Sequence, residues 1–307
     1  MKRLLIIGCG DVARRTLPLL RPRYRVFALV RRPESFAALR AQGVVPILGD
    51  LDDYASLSRL AGLADAVLHF APPPAQGNID SRTRNLLRAL SPARAPQRLV
   101  YISTSGVYGD CKGAWVNETR TCCATTPRAQ RRVDAEKQIR RWVKSRKVNA
   151  CILRVPGIYA ADRLPIERIQ QGMPAILAAE DGYTNHIHAD DLARIALAAL
   201  RHGKPCRIYH ASDDQPMKMG DYLDAVADAF ELPRVPRISH AAAQHVLSPS
   251  LLSFINESRR LNNRRLKEEL NVKLTYPNLA TLLAYGRGAR QDEGATIAPS
   301  SNPLASA

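Results

Sequence analysis

The chain has no apolar run approaching the roughly 18–20 residues of a membrane-spanning helix, and no membrane partner is expected. Its opening apolar run, Leu4 to Ile7, follows a basic start but is well short of the ~7–15 residues of an export signal. A buried first strand accounts for it better. The six cysteines include no CxxC pair and none at metal-ligand spacing, and Cys122 and Cys123 are adjacent, which suits a structural disulfide poorly. Reduced thiols, a cytoplasmic location and no metal site are the expectation. Aromatic residues make up only 6% of the chain. Acidic residues are scarce as well, 28 against 45 basic, for a net charge of +17. A charge of that size invites a nucleic-acid reading, but no aromatic residues interleave with the basic ones and no known binding motif accompanies them, which disfavours it.

What is present is an ordinary globular composition over 307 residues, with 46% hydrophobic and 24% charged residues, enough for one large domain or two modest ones. The basic residues are 36 Arg and 9 Lys. The densest local excess runs from Arg128 to Lys147, with nine basic residues and two acidic. It reads as a solvated helix face or a wall for anionic ligands.

Short apolar runs alternate with helical patterns through the first half. Strands are expected at Leu4–Ile7, Arg25–Val30, Val44–Leu48, Ala66–Phe70, Arg98–Ile102 and Ala150–Val155. Helices are expected at Asp11–Leu20, Ser35–Gln42, Tyr54–Leu60, Asp80–Leu90 and Pro127–Lys147, with Pro18 expected to kink or shorten the first. Beyond Pro156 come a helix at Asp190–Leu200, a strand at Arg207–His210 and a helix at Met219–Phe230. This alternation implies a parallel sheet covered on both faces. Residues 285–307 lack apolar periodicity and are expected to be a disordered tail.

Gly8-Cys9-Gly10-Asp11-Val12-Ala13 is a G-x-G-x-x-A between a strand and a helix. The first glycine permits a tight turn, the second lets backbone approach a pyrophosphate, and the helix N-terminus attracts the anion. Gly8, Gly10, Asp11 and Val12 are therefore candidate dinucleotide contacts. The second strand ends in Val30-Arg31-Arg32, where an NAD enzyme would usually carry an acid for the ribose hydroxyls. Guanidinium groups there can pair with a 2′-phosphate, so NADP is favoured over NAD. Asp50 and Leu51 are expected near the adenine, with Ala71 and Pro72 bordering the phosphates and ribose.

Five blocks in order carry a resemblance to a known family. They are Gly8-x-Gly10-x-x-Ala13, Gly49-Asp50-Leu51, Tyr101 to Gly109 (YISTSGVYG), Leu153 to Tyr159 (LRVPGIY) and His186 to Leu192 (HIHADDL). Over roughly residues 1–275 the chain resembles an atypical extended short-chain dehydrogenase/reductase of the NAD(P)-dependent epimerase/dehydratase type. The resemblance implies a doubly wound parallel Rossmann sheet with a smaller C-terminal α/β substrate lobe. The Rossmann domain would be residues 1–160 plus 184–211, and the lobe 161–183 plus 212–284. Dimerisation through the helices flanking the fourth and fifth strands is usual for such folds.

The same resemblance places Thr104 as the residue that bonds the reacting oxygen. It also exposes a departure: the family's Tyr-x-x-x-Lys falls on Arg128 and Arg132. A guanidinium stays protonated above pH ~12 and cannot relay a proton as a tuned phenol does. Arg128 and Arg132 are thus assigned electrostatic roles. Tyr108 and Tyr159 are phenols near the implied cleft, although such residues more often serve packing, and His188 more often orders structure than acts as a base. Ser105, Tyr159, Arg163 and Arg259 are the candidate substrate contacts. The leading reading is an oxidoreductase or epimerase/dehydratase-type enzyme acting on an anionic small molecule. The alternative is a non-catalytic NADP(H)-binding sensor or regulatory module.

Overall fold

The computed structural model describes residues 1–21, 23–91 and 94–284. The expected tail at 285–307 lies outside the described residues. Seven strands form one sheet: β1 (Lys2–Ile7), β2 (Tyr24–Val30), β3 (Val45–Leu48), β4 (Ala66–His69), β5 (Arg98–Thr104), β6 (Asn149–Val155) and β7 (Arg207–His210). Their order is β7-β6-β5-β4-β1-β2-β3 and every pairing is parallel. This is the doubly wound Rossmann arrangement. The strand order reverses between β1 and β4, and such a switch point opens a crevice beyond the carboxyl ends of the strands.

The sheet is buried on both faces because its strands are apolar at successive positions. Leu4 and Ile6 of β1 join the core on one face, Leu5 and Ile7 the core on the other. Side chains alternate across a strand, so a continuous apolar run feeds two cores at once. The first core is closed by the helices Asp11–Leu20 and Ala189–His202 through Leu17, Leu20, Leu192 and Ile195. Helices Ser81–Ala89 and Pro127–Arg146 close the second through Leu86, Leu87, Ile139 and Trp142.

Pro18 does not break its helix, which runs the full Asp11–Leu20 span. The proline is exposed, the buried Leu17 and Leu20 flank it, and the Arg21 amide still donates to Leu17 O at 3.1 Å. Packing on either side outweighs one missing donor. The helix expected at Ser35–Gln42 opens instead as a tight 3₁₀ turn, Pro33–Ser35, and continues as Phe36–Ala41.

The remaining segments build a smaller core from Ile169, Tyr222, Leu223 and Val226, joined by Tyr159. A short parallel pair, Ala175–Ile176 with Arg237–Ile238, runs beside it. The helix Arg264–Leu270, allotted by sequence to the smaller lobe, packs elsewhere. Its Leu266 and Leu270 are buried in the first core of the main sheet, because they present their apolar edge to the helix Ala189–His202 and to β7.

Helix Pro127–Arg146 is fastened to the sheet by a buried carboxylate. Glu136 accepts from Ser103 Oγ of β5 at 2.6 Å and pairs with Arg154 of β6 at 2.7 Å. Both members of the ion pair are almost wholly buried. Removing one partner strands the other charge in the interior, whereas replacing both by apolar groups does not. Glu136→Ala should therefore cost about 3–5 kcal/mol in urea unfolding. The double variant Glu136→Leu/Arg154→Leu should lose clearly less, and an equal or larger loss would show that the pair itself is strongly stabilising.

Candidate functional site

β1 runs straight into the crevice. Gly8 follows it with φ +87, a left-handed conformation that a side chain resists. An added Cβ would stand 2.5 Å from Ala71 N. The two segments approach this closely because Ile7 O accepts from both Phe70 N and Ala71 N at 2.8 Å. Gly10 then caps the helix Asp11–Leu20 with no side-chain bond to its first amides, and nothing lies within 4 Å of where its Cβ would be. Open backbone donors and the positive end of a helix dipole face the same space, a setting that favours a bound anion.

That space is a cavity of about 550 Å³. Gly8, Gly10, Asp11, Val12, Arg31, Arg32, Asp50, Leu51, Ala71 and Pro72 all line it. Arg31 and Arg32 are exposed at its β2 end. Two further arginines border it. Arg82, which sequence reasoning missed, grips Asp52 with bonds of 2.9 and 2.6 Å and reaches Pro72 O at 3.3 Å, tying two walls together. Arg163 was expected on the substrate side. It lies here instead, drawn to Asp11 Oδ2 at 3.0 Å. Arg15 completes that network by pairing with Asp11, Asp162 and Asp190, each at 2.9 Å.

A second cavity of about 300 Å³ shares Pro72 with the first. Pro72 to Ala75, Thr104, Arg128, Arg131 and Arg132 line it. Thr104 ends β5 and caps the turn Ser105–Tyr108, its Oγ1 accepting from Gly106 N at 3.2 Å. Its hydroxyl hydrogen is thereby left to point elsewhere. Arg132 donates to Ile102 O at 2.7 Å and to Tyr101 OH at 3.0 Å. Arg128 stacks on Phe254 of the smaller lobe, 3.7 Å from the ring centroid. Burial, helped by the neighbouring Arg132, Arg259 and Arg131, pulls the Arg128 guanidinium below its ordinary pKa, with Glu257 opposing. Arg131 was not foreseen, because it sits within a charge run that reads as solvated surface. It is only 6% exposed and donates to Gly77 O.

Three expected substrate contacts do not face this cavity. Tyr159 is 1% exposed in the smaller core, with His186 and His188 edge-on to its ring and its hydroxyl 3.5 Å from Tyr276 O. Ser105 is buried within its turn. Arg259 is buried too, donating to Gly109 O at 2.7 Å and pairing with Glu257 at 2.9 Å. Glu257 is the more telling of that pair: its Oε2 lies 3.7 Å from an ideal Gly106 Cβ, itself 3.5 Å from Thr104 Oγ1. No local motif marks it, since the fold of the lobe brings it there. Tyr108 is occupied as well, its hydroxyl 2.5 Å from His210 Nε2, and burial pushes both phenols up. His188 Nδ1 accepts from Asp190 N at 3.2 Å, capping a helix. Among the described residues no group of three or more His, Cys, Asp or Glu could hold a metal ion.

Known proteins share the fold that carries this site. The model of the NAD dependent epimerase/dehydratase family matches residues 10–211. The uncharacterised protein C2A9.02 of Schizosaccharomyces pombe is 24% identical over 280 residues, 87% of this chain and 92% of that protein. A conserved protein of unknown function from Silicibacter pomeroyi superposes with a TM-score of 0.77 at 28% identity, covering 94% of this chain and 99% of that one. DesIV, a dTDP-glucose 4,6-dehydratase from Streptomyces venezuelae solved with NAD and TYD bound, superposes with a TM-score of 0.75. It is 20% identical over 95% of this chain and 98% of its own, which is a likeness of fold. With more than half its length matched by the family model, the chain belongs to the NAD dependent epimerase/dehydratase family.

Proposed function

We propose that the chain is an NADP(H)-dependent oxidoreductase of the epimerase/dehydratase type acting on an anionic small molecule. The observation that carries this reading is the junction of two cavities at Pro72. One is lined by the glycine turn and helix N-terminus, the other by Thr104, Arg128 and Arg132. When bound, the nicotinamide would supply or accept hydride.

The protein's own contributions follow from its residues. Gly8 and Gly10 admit the diphosphate to the open amides of the helix Asp11–Leu20. Arg163 offsets the Asp11 carboxylate, which would otherwise repel that diphosphate. Arg31 and Arg32, exposed at the rim, supply guanidinium forks for a 2′-phosphate. Thr104 orients the substrate oxygen through its remaining hydroxyl hydrogen. Arg128 and Arg132 hold negative charge where the family has a proton-relaying pair, and being permanently charged they do not carry protons themselves.

One observation favours a second reading, a dinucleotide-binding module without turnover. Tyr108 and Tyr159 are both buried and engaged, so neither phenol stands ready to replace the missing acid. Consumption of NADPH with any carbonyl substrate, followed by nicotinamide absorbance, excludes it.

Two variants test the dinucleotide assignment by calorimetric titration at two salt concentrations. Gly8→Ala, with its Cβ driven into Ala71, should abolish binding of NADPH and NADH alike while the chain remains folded by circular dichroism. Arg31→Asp should weaken NADPH about tenfold or more and leave NADH close to unchanged. Equal losses for the two nucleotides would sink the 2′-phosphate assignment.

A further inference from the structure

Three arginines are buried among the described residues, and two of them are paired with carboxylates. Arg154 is paired with Glu136, and Arg259 with Glu257. Arg128, Arg131 and Arg132 line one cavity, and among the described residues none has a carboxylate within ion-pairing distance. Their visible partners are neutral: the carbonyls of Gly77 and Ile102, the Tyr101 hydroxyl and the Phe254 ring. Arg131, 94% buried by its 6% exposure, also keeps its Nε without any partner and away from solvent. A buried charge without a counter-charge is costly, and Arg131, beside the half-buried Arg128 and Arg132, leaves a local excess of positive charge around one void.

The acids that approach from neighbouring elements are already engaged. Glu257 is held by Arg259 through Oε2; its buried Oε1 has no partner, and its charge offsets part of that on Arg128 without coming within ion-pairing distance. Asp134 receives Asp80 N and the Gln138 amide, and Asp80 receives the Thr83 amide and hydroxyl. Glu136 is shared between Ser103 and Arg154. These acids offset part of the charge from a distance, yet none pairs with Arg128, Arg131 or Arg132, whose guanidinium groups are left for a ligand from outside the chain.

We propose that the cavity of Thr104, Arg128, Arg131 and Arg132 binds a phosphate monoester, its phosphoryl group set among the three guanidiniums. This rests on the reading of that cavity as the substrate site and names the group it recognises. A carboxylate offers two oxygens and one charge. A phosphoryl group offers three strong acceptor oxygens and nearly two charges, and guanidinium forks match its geometry. The Thr104 hydroxyl adds a neutral donor. At about 300 Å³ the cavity has room for the phosphoryl group and a small organic remainder.

The test is a calorimetric titration of the full chain with inorganic phosphate and with glycerol 3-phosphate, at constant ionic strength set by chloride. It is run on the free chain and on the chain saturated with NADPH, which fills the diphosphate crevice. Saturable binding of both ligands to the saturated chain is expected, with glycerol silent. Arg128→Gln and Arg131→Gln should each weaken the ester about tenfold or more. Arg141→Gln removes the same charge from an exposed position on the same helix and should change affinity less than about twofold. Arg128 holds no backbone carbonyl, so its variant remains informative if Arg131→Gln disturbs the Gly77 loop. An equal loss in Arg141→Gln would reduce the effect to net charge and overturn the assignment. Absence of saturable binding, or binding of inorganic phosphate but not of the ester, would overturn it as well. If NADPH fails to bind at all, the enzyme reading falls, while titration of the free chain and its variants still decides the phosphate site.

Discussion

The Glu136 carboxylate determines where everything on the substrate side stands. It faces β5 through Ser103 and β6 through Arg154, so the helix Pro127–Arg146 is pinned across the two strands whose ends open toward the site. One turn earlier on the same helix face, Arg132 clamps Ile102 O. Two attachment points four residues apart fix both the rotation of a helix and its position along its axis. Arg128 and Arg131 are carried to the cavity wall as a consequence. The basic residues of the later turns, Lys137, Arg140, Arg141 and Lys144, are left in solvent. One run of charge is thus divided between a cavity wall and a surface by a single buried acid.

On the cofactor side the governing constraint is the contact of two backbones. Gly8 and Ala71 meet at the switch point, and only a residue without a side chain permits it. Because the segment after Ala71 continues through Pro72 toward Thr104 and the arginines, the two cavities are joined by the same strand end that closes the glycine turn. The smaller lobe is tied to this floor by charge. Arg15 holds three carboxylates, among them Asp162 from beyond the sheet, and Arg163 returns to Asp11. Exposed pairs of this kind contribute little individually, and shared around one guanidinium they set orientation more than stability.

The main sheet and the glycine turn were legible because they rest on local rules: alternation along a strand, helix length and turn chemistry. β7 spans Arg207–His210, and the first helix Asp11–Leu20, as read from sequence. What was not legible depends on which side of an element meets the core. Arg131 lies in a run whose plain reading is a solvated face, and its burial follows from the Glu136 anchor some five residues on. Tyr159 stands in a block that resembles a cleft motif, yet Tyr222, His186 and His188 surround it once the lobe folds. Arg163 follows that block in sequence but turns back over Asp11, where opposite charge draws it. Glu257 comes beside Gly106, in the turn that Thr104 caps, from about 150 residues away, a distance no spacing rule spans.

The departure at Arg128 and Arg132 has a consequence beyond the loss of an acid. A phenol beside a cationic partner titrates, so the charge of such a site follows pH and the state of the reaction. Guanidiniums at the same two positions keep their charge across the whole physiological range, and a third, Arg131, reinforces them. Arg132 also bonds the buried Tyr101, whose own ionisation burial pushes up to about 12, so its neighbour remains neutral and adds no negative charge. Positive potential in the cavity is therefore a fixed property of the fold. Under the function proposed above, such a cavity would hold a negative group and position what is attached to it, and any proton that the chemistry requires would travel by another group.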